Sequence, residues 1–144
     1  MSKGDIAKNF FEQGYNCSQS VLMAFSEDLG VDRVTAAKIS CPLGGGVART
    51  RNICGAVTGG LMAIGLVFSD GTGNSKQICY EKGQSFIKCF SQANGSCICS
   101  DLLGIDPKDE SPVPEKRTNE YYKSRPCADL VKSAADILEE FLND

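Results

Sequence analysis

The stretch that most constrains this chain is residues 53–68, sixteen positions with no charged side chain and four glycines, Ile-Cys-Gly-Ala-Val-Thr-Gly-Gly-Leu-Met-Ala-Ile-Gly-Leu-Val-Phe. Such a run reads as a helix covered on nearly all sides, and its glycines mark where neighbouring elements approach the backbone. It is glycine-broken and shorter than the roughly 20 apolar residues that a membrane span requires. Asn52 is placed to cap its start, which puts Cys54 in the first turn. There the unpaired N–H groups and the positive dipole end favour thiolate over thiol.

The rest of the chain reads as helices arranged to cover that run. Residues 3–13 pattern as a helix ended by Gly14, and residues 17–29 as a second ended by Gly30. Asp32 caps a third, to residue 39. Cys41-Pro42-Leu43-Gly44-Gly45-Gly46 reads as a loop, because Pro and three glycines disfavour a regular element. After a turn at 70–74, Ser75 caps a helix to residue 93 with Cys79, Gly83, Phe86, Phe90 and Ala93 on one face. Asp70, Thr72, Asn74 and Glu81 match positions of a calcium loop, but Ser75 stands where that loop needs glycine, so the segment reads as a turn. Residues 104–117, with Pro107, Pro112 and Pro114 among charges, read as an exposed loop. The last helix carries Val131, Ala134, Leu138 and Phe141 on a stripe that needs the rest of the protein to cover it. No useful strand alternation occurs. The expectation is an all-α fold, a compact multi-helix bundle around a buried glycine-rich helix, forming one domain over residues 1–144.

Composition narrows the function classes. The net charge of -3 argues against nucleic acid and against a membrane surface as partner, since both need clustered Lys and Arg. The N-terminus, Met-Ser-Lys-Gly-Asp, lacks the basic-then-apolar layout of a signal peptide, so a cytoplasmic protein is expected. Thiols stay reduced in that compartment, and eight cysteines then point to catalysis, redox sensing or metal binding rather than a disulfide scaffold. With no histidine in the chain, Cys-His pairs, Ser-His-Asp triads and Cys/His zinc fingers are excluded.

Placing the cysteines on the expected helices separates four of them. Cys17 follows Asn16, with Gln19 three residues beyond that cap, a variant of the capping box. Cys54 follows Asn52. Cys127 follows Ser124-Arg125-Pro126, where Pro marks a helix opening. Cys99 precedes a helical turn, Ser100-Asp101-Leu102-Leu103, ended by Gly104. Cys17 with Val21, and Cys127 with Val131, have apolar residues four positions on that point them inward. Cys17, Cys54, Cys99 and Cys127 are therefore the catalytic candidates. Cys97 is an accessory thiol, able to resolve a mixed disulfide. Gly55 and Gly59 are accessory positions, Gly55 leaving room for close approach to the Cys54 sulfur. Gly44, Gly45 and Gly46, with Arg49 and Arg51, are candidates for holding an anionic substrate or cofactor. Cys79 and Cys89 read as small buried hydrophobes and Cys41 as a loop thiol. Tyr121-Tyr122 with Lys116, Arg117 and Lys123 reads as an ordinary helix surface.

Several separated motifs, in order, carry a family resemblance: Gly14-Tyr15-Asn16-Cys17-Ser18-Gln19-Ser20-Val21, Gly44-Gly45-Gly46, Cys54-Gly55-Ala56-Val57-Thr58-Gly59, Asn94-Gly95-Ser96 with Cys99, and Cys127. Over nearly its whole length the chain resembles the redox protein family known by its CGAxxG motif and four-cysteine pattern (C_GCAxxG_C_C). The resemblance places the family cysteines on Cys17, Cys54, Cys99 and Cys127 and implies a small, cysteine-dependent redox protein without naming a substrate. Cys41, Cys79, Cys89 and Cys97 are additions to the pattern.

The leading expectation is reversible thiol chemistry: Cys54 as thiolate attacks a disulfide or another electrophile, and a second cysteine of the set resolves the intermediate. The partner would be an unidentified redox protein or small electrophile. A second reading has the same four thiolates holding an iron–sulfur cluster or zinc, although the usual Cys-x-x-Cys spacing is absent. A third is a helical interaction module whose cysteines only pack.

Overall fold

The structure is a computed structural model and describes residues 1–108 and 111–143. Its helices are α1 (Lys3–Glu12), α2 (Cys17–Ser26), α3 (Arg33–Ser40), α4 (Gly55–Phe68), α5 (Lys76–Asn94), α6 (Cys99–Leu103), α7 (Asn119–Ser124) and α8 (Cys127–Leu142). Among the described residues there is no strand, only an isolated antiparallel bridge between Ile53 and Ile98. The fold is all-α, as the periodicity predicts. Residues 109 and 110, inside the expected loop at 104–117, lie outside the described residues.

Local capping chemistry explains half of these helix starts. The Ser2 hydroxyl accepts from the Asp5 N–H at 3.1 Å, and the Asp32 carboxylate accepts from the Thr35 N–H at 3.1 Å. At α2 the capping box is complete: the Asn16 side chain accepts from the Gln19 N–H at 2.9 Å, and the Gln19 side chain accepts from the Asn16 N–H at 3.0 Å. Two expected caps differ. The Ser75 hydroxyl turns back to the Thr72 carbonyl at 3.1 Å and leaves the start of α5 without a side-chain cap. Asn52 donates to the Thr50 hydroxyl at 2.9 Å, and α4 begins only at Gly55, with Cys54 itself at the N-cap position.

Helix α4 packs against α2, α5 and α8, and α1 closes the bundle against α2 and α8. The glycines of α4 set these approaches. A Cβ on Gly59 would lie 2.5 Å from the Ser18 carbonyl oxygen of α2, and one on Gly60 would lie 2.5 Å from the Phe86 ring of α5. Phe11, Leu22, Ile64, Phe86, Phe90 and Leu138 are fully buried between the helices, each contributing about 1.5–3 kcal/mol by leaving water. The last turn of α4 emerges from the core, with Leu66 and Val67 exposed. On α8, Val131, Ala134 and Leu138 are buried as the stripe predicts. Helix α5 buries Gly83, Phe86 and Phe90, but Cys79 is only half-buried and Cys89 and Ala93 are exposed. Cys79 and Cys89 are therefore not the small core hydrophobes that the helix pattern suggests. Among the described residues no helix is long and apolar enough to cross a membrane.

Candidate functional site

A cavity of about 370 Å³ opens at the end of the bundle where α2, α4, α6 and α8 begin. Cys17, Cys54, Cys99 and Cys127 all line it, together with Gly44, Gly45, Gly46, Gly55, Arg49 and Arg51. The thiols converge because each sits at or beside a helix N-terminus and those termini are brought together. Cys54, Cys99 and Cys127 are buried, Cys17 is half-buried, and all eight cysteines are free thiols.

Two pieces of local architecture assemble the cavity wall. In the first, residues 51–54 run against residues 97–100: Cys54 N–H donates to the Cys97 carbonyl at 2.7 Å, and Cys99 N–H donates to the Asn52 carbonyl at 2.6 Å. This clasp brings Cys99 beside the start of α4. In the second, the chain from Gly45 to Arg49 winds left-handed, with φ of 63° at Gly45, 66° at Gly46, 71° at Val47, 51° at Ala48 and 63° at Arg49. The expected loop at 41–46 is therefore a tight wound turn. Each non-glycine residue held there costs about 1–2 kcal/mol. Backbone bonds into the turn hold it, from Arg51 N–H to the Gly45 carbonyl at 3.1 Å and from Asn52 N–H to the Gly46 carbonyl at 2.9 Å. Gly46 cannot be replaced without contact, since a Cβ there would lie 2.7 Å from the Cys99 Cβ. Gly55 has the same relation to Cys17, at 3.1 Å.

The electrostatics single out a thiol other than Cys54. Burial pushes the Cys54 thiol up to about 12, outweighing the N–H groups of Ala56 and Val57 that favour its thiolate. At Cys54, burial therefore works against the thiolate that the helix start favours. Burial also raises Cys99, against the pull of Arg51, whose Nη1 lies 3.8 Å from the Cys99 sulfur. Cys127 goes the other way. The neighbouring Cys17 thiol does most to favour its thiolate, helped by the charge of Arg125, the Tyr121 hydroxyl and the charge of Arg117, and together these overcome burial and bring it down to about 7. Cys127 in turn, with burial, raises Cys17 well above the ordinary thiol range. Cys17 and Cys127 thus titrate as one coupled pair, which gives up its first proton more readily than an ordinary thiol and its second less readily.

The residues that tune this pair lie in the segment leading to α8. Arg117 donates to the carbonyls of Phe11 at 2.7 Å and Tyr15 at 2.9 Å, tying the segment to the end of α1. Its guanidinium is 4.1 Å from the Phe11 ring centroid and 5.1 Å from that of Tyr121. Tyr121 is set by α7, whose start is capped by Thr118. Glu115 pairs with Arg49 at 3.7 Å, with Arg51 at 4.0 Å and, closely, with Arg125. Sequence reasoning missed Glu115, Tyr121, Arg117 and Arg125 and took the tyrosine pair for helix surface. The available signal was an arginine two residues before Cys127. Cys41, on the exposed rim, also lines the cavity.

Two expected accessory residues fall outside the cavity lining. Cys97 serves through its carbonyl in the clasp, and Gly59 serves the packing of α4 on α2. Thiol donors would suit zinc or an iron–sulfur cluster, but among the described residues no group of three or more Cys, Asp or Glu side chains is arranged to hold a metal ion.

Comparison with known proteins yields one match. No curated protein and no solved structure matches the chain. The model of one protein family, described as "Putative redox-active protein (C_GCAxxG_C_C)", matches residues 15–141, a span that contains the whole cavity wall except Phe11. With nearly its full length covered, the chain belongs to the C_GCAxxG_C_C redox-active family.

Proposed function

We propose that this protein carries out thiol–disulfide exchange, with Cys127 as the attacking thiolate and Cys17 as the resolving thiol. The observation that carries this reading is the meeting of Cys17 and Cys127 in one cavity wall beside Tyr121 and Arg125, surroundings that draw Cys127 down to about 7. A thiol with that value is about half ionised at neutral pH and remains a good nucleophile, which is near the optimum for exchange.

The Cys127 thiolate attacks one sulfur of a substrate disulfide RS–SR′, forming Cys127–S–S–R and expelling R′S⁻. Cys17 then loses its proton and attacks the Cys127 sulfur, forming the Cys17–Cys127 disulfide and expelling RS⁻. The proton released by Cys17 protonates a leaving thiolate. Two electrons have passed from the protein dithiol to the substrate, and an external dithiol reverses the two steps. Tyr121 and Arg125 hold negative charge on Cys127 before the attack and when it leaves again as thiolate. Cys54 and Cys99, raised by burial, stay protonated around the pair.

Limited oxidation with hydroxyethyl disulfide, followed by non-reducing peptide mapping, tests this. The expected product is the Cys17–Cys127 disulfide in wild type and a stable adduct on Cys127 in Cys17→Ser. A Cys127→Ser protein that reduces the disulfide at the wild-type rate would refute the assignment.

A further inference from the structure

We infer that the cavity selects a small disulfide that bears a carboxylate, and that Glu115 holds the place of that carboxylate until the substrate displaces it. This rests on the thiol reading and names its substrate class. Three guanidinium groups from two parts of the chain meet at the Glu115 carboxylate: Arg49 from the left-handed turn and Arg51 from the clasp after it, and Arg125 from just before α8. The arginine side chains are 15%, 5% and 16% exposed, and Glu115 is 38% exposed. The cationic half of the cluster is therefore built into the wall, while the carboxylate enters from the open side.

The two halves are also held differently. The turn that presents Arg49 keeps its left-handed backbone against a steric cost, fixed by bonds from the clasp. Glu115 lies between Pro114 and α7 in a segment without regular structure. Withdrawing its side chain breaks no helix. Arg49 and Arg125 would then lose their ion pairs with Glu115, and an incoming carboxylate restores the charge-assisted bonds. Arg125 connects this position to the chemistry, because it pairs with Glu115 and also draws Cys127 toward thiolate. A substrate anchored there presents its sulfur to Cys127. A volume of about 370 Å³ suits one small molecule.

Three disulfides of similar size separate the charge term: dithiodiglycolate, hydroxyethyl disulfide and cystamine, which are anionic, neutral and cationic. Relative to a free reference thiol, oxidation by the anionic reagent should be favoured over the neutral one by about tenfold or more, with the cationic reagent slowest. Glu115→Gln should raise that preference, and Arg49→Gln should lower it. Adipate, the sulfur-free isostere of dithiodiglycolate, gives a readout independent of thiol chemistry. By calorimetry it should bind the wild type, bind Glu115→Gln about tenfold more tightly and fail to bind Arg49→Gln. No adipate binding to Glu115→Gln, or unchanged binding to Arg49→Gln, overturns the inference even where Cys127 titrates near 7. Adipate binding with an ordinary Cys127 titration would instead overturn the thiol reading.

Discussion

Replacing Cys17 by alanine removes the largest single contribution to the Cys127 thiolate, and its consequence can be worked from the site. Cys127 lies at about 7 against an ordinary value of 9.0. Since a tenfold change in protonation is 1.36 kcal/mol, the surroundings favour the thiolate by about 2–3 kcal/mol. A hydrogen bond from the Cys17 thiol to that charged sulfur would contribute about 1.5–3 kcal/mol, so losing the Cys17 thiol should move the Cys127 midpoint up by about one to two pH units. At pH 7 the ionised fraction then falls from about a half to about a tenth or less. Part of the rate loss is offset because a more basic thiolate is more nucleophilic, so the midpoint is the quantity to measure. Iodoacetamide labelling against pH, read on the Cys127 peptide by mass spectrometry, provides it. Cys17→Ser keeps a hydroxyl donor in place and should hold the midpoint near the wild-type value. If Cys17→Ala titrates with wild type, the paired-thiol account of Cys127 is wrong.

Further outcomes follow from the same geometry. Because the folded state lowers Cys127, its contribution to stability is present above the unfolded thiol value near 9 and is lost as pH falls through about 7. Denaturant unfolding of wild type should therefore strengthen from pH 7 to 9 relative to Cys127→Ser. Cys54 has the opposite sign: raised to about 12, its contribution is full below 9 and is lost as pH rises toward 12, so Cys54→Ala should lose less stability than wild type between pH 9 and 11. Gly59→Ala sets a methyl 2.5 Å from the Ser18 carbonyl and should cost about 1–3 kcal/mol by prising α2 from α4, seen as a lower midpoint in thermal unfolding.

The helices and their ends were legible because their causes are local. Asn16 and Gln19 meet within one turn, Pro126 presets the entry to α8, and the α8 stripe repeats at helical spacing, so neighbours along the chain suffice to place Cys17 and Cys127 at helix starts. The absence of charge and the glycines of residues 53–68 likewise announced a helix approached closely from several sides. Cys54 shows where local reasoning stops. Its position at a helix start is a sequence property, but its ionisation is decided by burial, which depends on what covers it. The pairing of residues 51–54 with 97–100, the left-handed winding of residues that include valine, alanine and arginine, and the Glu115 bridge are non-local, and no spacing in the chain encodes them. The sequence by itself determined that four thiols stand at helix starts in an all-α chain. Only the tertiary structure decided how their surroundings differ, because the field at each sulfur is set by groups brought from distant parts of the chain: Cys17 and Arg117 at Cys127, and Arg51 at Cys99.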